Sequence, residues 1–190
     1  MKLTVFALLA ATFLIGAADS PPVPALSEPQ VSFGKGNAAV DTVDASIWIA
    51  AEPQTVWDRA VSDFDGWWPH CYKTDSHCLI EQSAGGRVWE RFADGTQGAI
   101  YGHVLYIEAP VVIKMDGPWG MPGTAVSGGT WRLEPRDGGT VFRIKGEVMG
   151  NFEPGRGFDG REEAYAGILK QLKKFVETGE RVDRTKQGGQ

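Results

Sequence analysis

Gly85-Gly86-Arg87-Val88-Trp89-Glu90-Arg91, followed by Asp94-Gly95, Gly98, Gly102-His103-Val104 and Ala109-Pro110, is the stretch on which the fold turns. Arg87–Phe92 alternates apolar and polar residues, the period of a strand with one face covered. Asp94-Gly95 is a strong hairpin signal, because both central positions of the favoured tight turns need a left-handed backbone. Ala99–Glu108 then reads as the longest strand of the chain and stops before Pro110, which has no N–H to give to a ladder. Two strands joined this tightly are antiparallel neighbours.

Working outward, Cys78–Gln82 precedes this pair as a strand, and Val111–Asp116, Thr130–Glu134 and Thr140–Val148 follow it. Arg136-Asp137-Gly138-Gly139 is a second hairpin turn, and Gly117–Gly129 reads as a long irregular connection. Upstream, Ala45–Ala50 is a strand with Ile47 and Ile49 on one face and Ser46 and Trp48 on the other. Pro53 can open a helix without losing a hydrogen bond, and Val56, Trp57, Ala60, Val61 and Phe64 continue at helical spacing. Trp67-Trp68-Pro69 makes a corner. The last element is a helix: Asp159 and Glu162 form a capping-box pair, Tyr165, Ile168, Leu169, Leu172, Phe175 and Val176 form one apolar stripe, and Gly179 is a C-terminal stop. Six strands without an intervening helix, then one long helix, predict an α+β domain with an antiparallel sheet.

Read together with Trp67-Trp68-Pro69 and Glu81, the opening string resembles the START-like helix-grip (SRPBCC) superfamily. It is most similar to the branch of the activator of the heat-shock chaperone ATPase and of polyketide cyclase-like proteins. The resemblance spans roughly residues 43 to 178. It implies a curved seven-stranded antiparallel sheet wrapped around a long C-terminal helix, with two short helices after the first strand. It also implies a cup that holds a lipid, sterol, polyketide or other apolar molecule. Where that superfamily usually carries a Gly-Trp pair in the last helix, this chain has Tyr165.

Composition sets the outer bounds. The chain has 190 residues, 42% hydrophobic and 23% charged, with a formal net charge of −5. That is enough chain for one domain with its own core, and an acidic balance argues against nucleic acid as a partner. Residues 1–18 read as a secretory signal peptide: Lys2, an apolar run from Leu3 to Gly16, then Gly16-Ala17-Ala18 for cleavage. The run is shorter than the roughly 20 residues a spanning helix needs, so no stable membrane anchor is expected after cleavage, and the mature chain is expected to be periplasmic or secreted. Residues 19–42, with Pro21, Pro22, Pro24 and Pro29, are expected to be a disordered linker. The domain is placed at 43–179, and 180–190 is expected to be a frayed polar tail.

The inward face of the sheet reads as Ile47, Ile49, Leu105, Ile107, Ile113, Met115, Trp131, Leu133, Phe142 and Ile144. The residues expected to touch a ligand are Trp68, Glu90, His103, Leu105, Met115, Trp119, Trp131, Phe142, Tyr165 and Leu169. Glu90 and His103 would be polar anchors beside apolar surface, where each needs a partner. Trp119, in the Gly/Pro-rich connection, is read either as a lid or as a plug. Cys71 and Cys78 are disulfide candidates in an exported chain, with free thiols or a metal site using His70 and His77 as the alternatives. The spacing fits none of the common zinc patterns, and neither a metal nor a cofactor is expected.

The leading expectation is an exported, non-catalytic binding protein for a small hydrophobic molecule. One alternative is a cyclase/dehydratase-type enzyme in which Glu90 and His103 act as an acid-base pair. Another is a protein-interaction module of the chaperone-activator kind. No nucleophile elbow, phosphate loop or metalloprotease motif is present to support other chemistries.

Overall fold

The computed structural model describes residues 38–95, 98–121, 125–151 and 161–186, all within the unit Gly36–Gln190. The expected signal peptide at 1–18, the linker up to residue 37 and the capping residue Asp159 lie outside the described residues.

Seven strands form one antiparallel sheet: β1 Ala38–Ile49, β2 His77–Ile80, β3 Arg87–Arg91, β4 Ala99–Glu108, β5 Val112–Gly117, β6 Val126–Arg136 and β7 Gly139–Asn151. Their spatial order is β1-β7-β6-β5-β4-β3-β2, so only β1 crosses from its place in sequence, to lie beside β7. Helix α1, Pro53–Trp57, passes into a π-helical turn at Asp58–Ser62, closed by the Asp63 N–H on the Asp58 carbonyl at 2.9 Å, and a 3-10 turn at Phe64–Gly66 follows. Helix α2 spans Arg161–Thr178 and stops at Gly179, whose φ of +76° needs no Cβ and whose N–H reaches the Phe175 carbonyl at 2.9 Å. The result is the α+β helix-grip architecture anticipated above.

Several boundaries move. β1 begins at Ala38, so residues 38–42, expected to belong to the linker, pair with β7 from Ala38↔Asn151 to Thr42↔Glu147. β6 begins at Val126, so Gly128 and Gly129 are strand residues and not part of an irregular connection. The tail is also not frayed at its start. Val182 N–H bonds the Gly66 carbonyl at 2.8 Å, and Arg184–Lys186 forms a 3-10 turn in which Arg184 is only 8% exposed.

Arg184 explains why a polar segment folds back. Its guanidinium donates to the backbone carbonyls of Trp68 (3.1 and 3.2 Å), Ser76 (3.0 Å) and Asp65 (3.1 Å), and pairs with the Asp65 carboxylate at 2.9 Å. A planar fork with five donors can satisfy several carbonyls at once where a lysine cannot. The tail therefore clamps the Trp67-Trp68 corner to the strap of chain before β2.

The core between sheet and helix is packed at one end. Leu172 and Phe175 of α2 are fully buried. Gly66 lies so close beneath Phe175 that an added Cβ would come within 2.2 Å of the ring. An aromatic cluster continues from there, with ring centroids 5.7 Å apart for Phe64–Trp67, 5.6 Å for Trp67–Trp131 and 5.6 Å for Trp131–Phe142. Such pairs contribute roughly 0.5–1.5 kcal/mol each beyond area burial.

Candidate functional site

Toward the N-terminal half of α2 the packing opens. A cavity of about 210 Å³ lies between the sheet and the helix. Its floor has a simple cause in the sequence. The inward positions of β6 run Leu133, Trp131, Gly129, Ser127, and those of β7 run Phe142, Ile144, Gly146, Val148. Gly129 and Gly146 are direct cross-strand partners. Val43 of β1 flanks Gly146 and Met115 of β5 flanks Gly129, so one row across the sheet reads Val43, Gly146, Gly129, Met115. Two adjacent missing side chains leave the space that in the neighbouring row is filled by Ile144 and Trp131. The two glycines are not equivalent. A Cβ on Gly146 would come within 2.4 Å of the Gly128 carbonyl oxygen, whereas one on Gly129 meets nothing nearer than 3.5 Å.

The walls are aromatic and aliphatic. Trp68 from the corner, Trp119 from the β5–β6 connection and Trp131 from the sheet converge, with centroids 5.6 Å apart for Trp68–Trp119 and 6.1 Å for Trp119–Trp131. Tyr165 and Ile168 of α2 close the opposite side. Trp119 holds a backbone φ of +51°, a left-handed conformation uncommon for a bulky residue, with its N–H on the Tyr101 carbonyl at 2.8 Å. Strain of this kind persists where the surroundings fix it, and it clusters at ligand sites. His70 also lines the cavity, its ring 5.3 Å from that of Trp68. Burial pushes its pKa below the ordinary imidazole value, which favours the neutral ring.

Trp68, Met115, Trp119, Trp131 and Tyr165, all expected to touch a ligand, line this cavity. The other expected residues lie elsewhere. Phe142 is fully buried in the core behind Trp131. Leu169 borders a separate, more polar groove between β1 and α2 that also includes Asp41, Asp44, Glu162 and Glu163. His103 and Leu105 are exposed on the outer face of the sheet, Leu105 at 48%. Their placement corrects the alternation read for β4. The register slips between Val88 and Trp89 opposite β3, and again between Val104 and Tyr106 opposite β5. Each irregularity adds a residue to one side of the ladder. Tyr101, Val104 and Ile107 therefore point inward, and strict period two does not survive along the strand.

Glu90 does point inward and is 0% exposed, but it is absent from the cavity wall. Its carboxylate accepts the N–H groups of Tyr72 (2.8 Å) and Lys73 (2.9 Å) and the Tyr101 hydroxyl (2.6 Å). Burial raises the carboxyl pKa, but the bonds from Ser76, Tyr101, Tyr72 and Lys73 outweigh it and hold the group below the ordinary carboxylate value. Glu90 is thus a buried anchor for the loop that carries Tyr72 and Lys73, on the opposite side of the sheet from His103. The acid-base pair does not assemble.

Cys71 and Cys78 are both free thiols, which corrects the expected bridge. Cys78 is buried, its Sγ directed at the His70 carbonyl at 3.6 Å, and burial pushes its pKa up to about 12. Among the described residues no group of three or more His, Cys, Asp or Glu is placed to hold a metal ion.

Asp65 behaves as Glu90 does. Burial raises its pKa, but the Cys78 N–H at 2.8 Å and the Arg184 guanidinium bring it below the ordinary value. Carboxyls with depressed folded-state pKa values contribute stability that is complete above the unfolded value near 4 and is lost as pH falls through the folded values. The melting temperature is accordingly expected to fall between about pH 5 and pH 2. The slope over that range should be shallower in Glu90→Gln. Thermal melts across pH 2–7 read both, and an unchanged slope in the variant would remove Glu90 from the account.

Met121, Ser127, Gly129, Gly146 and His70 line the cavity without having been anticipated. For Gly129 and Gly146 the signal was present: extending the alternation of Trp131 and Ile144 by two residues puts both glycines on the inner face. Met121 lies in an irregular connection and carried no periodic signal.

A curved antiparallel sheet gripping one long helix over an apolar cavity is the architecture of the helix-grip (SRPBCC) superfamily. The chain belongs to the polyketide cyclase/dehydrase and lipid transport family, whose model matches residues 41–177. Solved structures share the fold. A protein from Rhizobium leguminosarum superposes with a TM-score of 0.56 at 20% identity, covering 76% of this chain and 99% of its own. A protein of unknown function from Enterococcus faecalis superposes with a TM-score of 0.53 at 17% identity, covering 76% of each chain. The AHSA1-like protein from Aeromonas hydrophila reaches 0.50 at 20% identity, over 73% of this chain and 94% of its own. No curated protein matches the sequence.

Proposed function

We propose that this chain is an exported binding protein that carries or sequesters a small hydrophobic molecule in the cavity beneath the N-terminal half of α2. The observation that carries the reading is the Gly129–Gly146 pair, which hollows the sheet under Trp68, Trp119 and Trp131 while the rest of the core is tightly filled. Pockets with apolar walls and few polar handles are the usual form of small-molecule sites. A family that includes lipid transport supports the same reading. A non-catalytic role is favoured because Glu90 is consumed by a structural network and His103 faces outward. Export rests on the sequence alone, through Lys2 and the apolar run to Gly16.

The test is recovery of the protein from the periplasm or medium of its own host, followed by native mass spectrometry and organic extraction. A bound apolar molecule is expected with the native chain and is expected to be absent from Gly129→Leu, whose new side chain projects into the floor. An extract identical for the two proteins would overturn the reading.

A further inference from the structure

We propose that the cavity selects a compact, flat ligand whose buried end is uncharged and carries a hydrogen-bond acceptor, and that the Trp68 indole N–H is the group that recognises it. The inference rests on the cavity being a binding site, and it goes on to say what kind of molecule that site takes.

Size comes first. A cavity of about 150 Å³ with apolar walls accepts benzene, and this one measures about 210 Å³. That is enclosed room for roughly one bicyclic ring system. Shape follows from the walls, since the Trp119 indole lies 5.6 Å from that of Trp68 and 6.1 Å from that of Trp131, centroid to centroid, and all three offer flat faces. Aromatic faces favour offset or edge contacts with another ring.

The polar requirement comes from Trp68. It is 7% exposed, it lines the cavity, and its Nε1 is a buried donor with no acceptor among the described residues. An indole N–H can only donate. Leaving a buried donor unmatched costs about 1–3 kcal/mol, so such groups in a folded protein call for an explanation. Among the described residues the other unmatched buried atom, Trp89 Nε1, lies outside the cavity wall. Trp67, the neighbour of Trp68, has the same side chain and gives its N–H to the Ala60 carbonyl at 3.0 Å. An acceptor on a bound ligand would complete at Trp68 what Ala60 completes at Trp67.

Charge is the third constraint. The sheet-side surface is Gly129, Gly146, Met115, Trp131 and Ile144, and none of these can neutralise an ion. A carboxylate pushed against that surface would lose its hydration and find no cation, and one indole N–H does not offset the burial of a full charge.

Three probes of similar size separate these requirements: coumarin (neutral, with a carbonyl), naphthalene (neutral, without an acceptor) and 2-naphthoate (charged at pH 7.5). Titrations are followed by calorimetry and by the indole N–H resonances of ¹⁵N-labelled protein, with the Trp68 signal assigned by its loss in Trp68→Phe. Coumarin is expected to bind about three- to tenfold more tightly than naphthalene, the worth of one neutral hydrogen bond. It should also move the Trp68 N–H resonance downfield, which naphthalene should not. 2-Naphthoate is expected to bind at least tenfold more weakly than coumarin. In Trp68→Phe the preference for coumarin over naphthalene should vanish, whatever happens to affinity overall, and Gly129→Leu should bind none of the three. Equal affinity for coumarin and naphthalene in the native protein, or tighter binding of 2-naphthoate, overturns this inference while leaving a hydrophobic binding site intact. Binding that Gly129→Leu does not reduce, or no binding of these probes with palmitate captured instead, also overturns the inference. Of these two results, only insensitivity to Gly129→Leu removes the underlying site as well.

Discussion

Glu90→Ala is expected to be the most destabilising single substitution outside the aliphatic core, by about 3–5 kcal/mol. The carboxylate it deletes sits at 0% exposure and satisfies the Tyr72 and Lys73 N–H groups and the Tyr101 hydroxyl together. Alanine would leave those donors buried without an acceptor and open a void where the carboxylate stood. In a domain of this size the melting temperature should fall by roughly 6–20 °C. Glu90→Gln keeps the shape and one acceptor oxygen but turns an amide N–H₂ toward donors, so its loss should be intermediate. Tyr101→Phe removes one donor and should cost about 1–2 kcal/mol. Denaturant unfolding of the three variants orders them. If Glu90→Ala and Glu90→Gln were both within 1 kcal/mol of the parent protein, the network would not be holding the loop. Ligand binding by Glu90→Gln should be unchanged while it remains folded, because the side chain does not reach the cavity wall.

The second large effect is expected at Arg184. Replacing it with alanine removes a buried cation that serves the carbonyls of Trp68, Ser76 and Asp65 and pairs with the Asp65 carboxylate at 2.9 Å. Removing one member of a buried pair typically costs about 3–5 kcal/mol. Asp65 keeps the Cys78 N–H and the Arg181 guanidinium, so a loss near 3 kcal/mol, or roughly 6–12 °C, is expected. Arg184→Lys preserves charge but not the fork and should recover only part of the loss. A second readout separates the clamp from generic stability. Because two of the guanidinium bonds end on the Trp68 carbonyl, amide hydrogen exchange in residues 65–70 should accelerate by more than in β6 and β7. Uniform acceleration throughout the sheet would show that the tail stabilises the fold without specifically holding the corner.

Much of the architecture could be read from residue patterns because a half-covered sheet imposes a period of two on the chain. The hairpin turns at Asp94-Gly95 and Arg136–Gly139, the long strand ending before Pro110 and the apolar stripe of α2 all follow from that logic, and each stands in the structure close to its expected place. What escaped the reading falls into two physical kinds. The first is irregularity inside a strand: the two register slips in β4 turn His103 and Leu105 outward and bring Tyr101 in to Glu90. Nothing in the side-chain order of Ala99–Glu108 announces them.

The second kind is pairing over long separation. Arg184 looks like one more charge in a polar tail, and only its distance-spanning bonds to Trp68 and Ser76 show that it is buried. Glu90 faces inward, but its partners include the backbone N–H groups of residues 72 and 73, which no residue identity reveals. For the cavity, the aromatic walls were legible because tryptophans are conspicuous. The floor was not, because it consists of side chains that are missing.

That floor has an evolutionary consequence. Gly146 is fixed by the close approach of the neighbouring backbone, whereas Gly129 stands clear of its surroundings. A lineage of such proteins can therefore begin to shorten the cavity at a single codon, since the first carbon of a side chain at 129 meets only ordinary contacts. On the proposed binding role, ligand size becomes a dial with one setting screw, located at position 129.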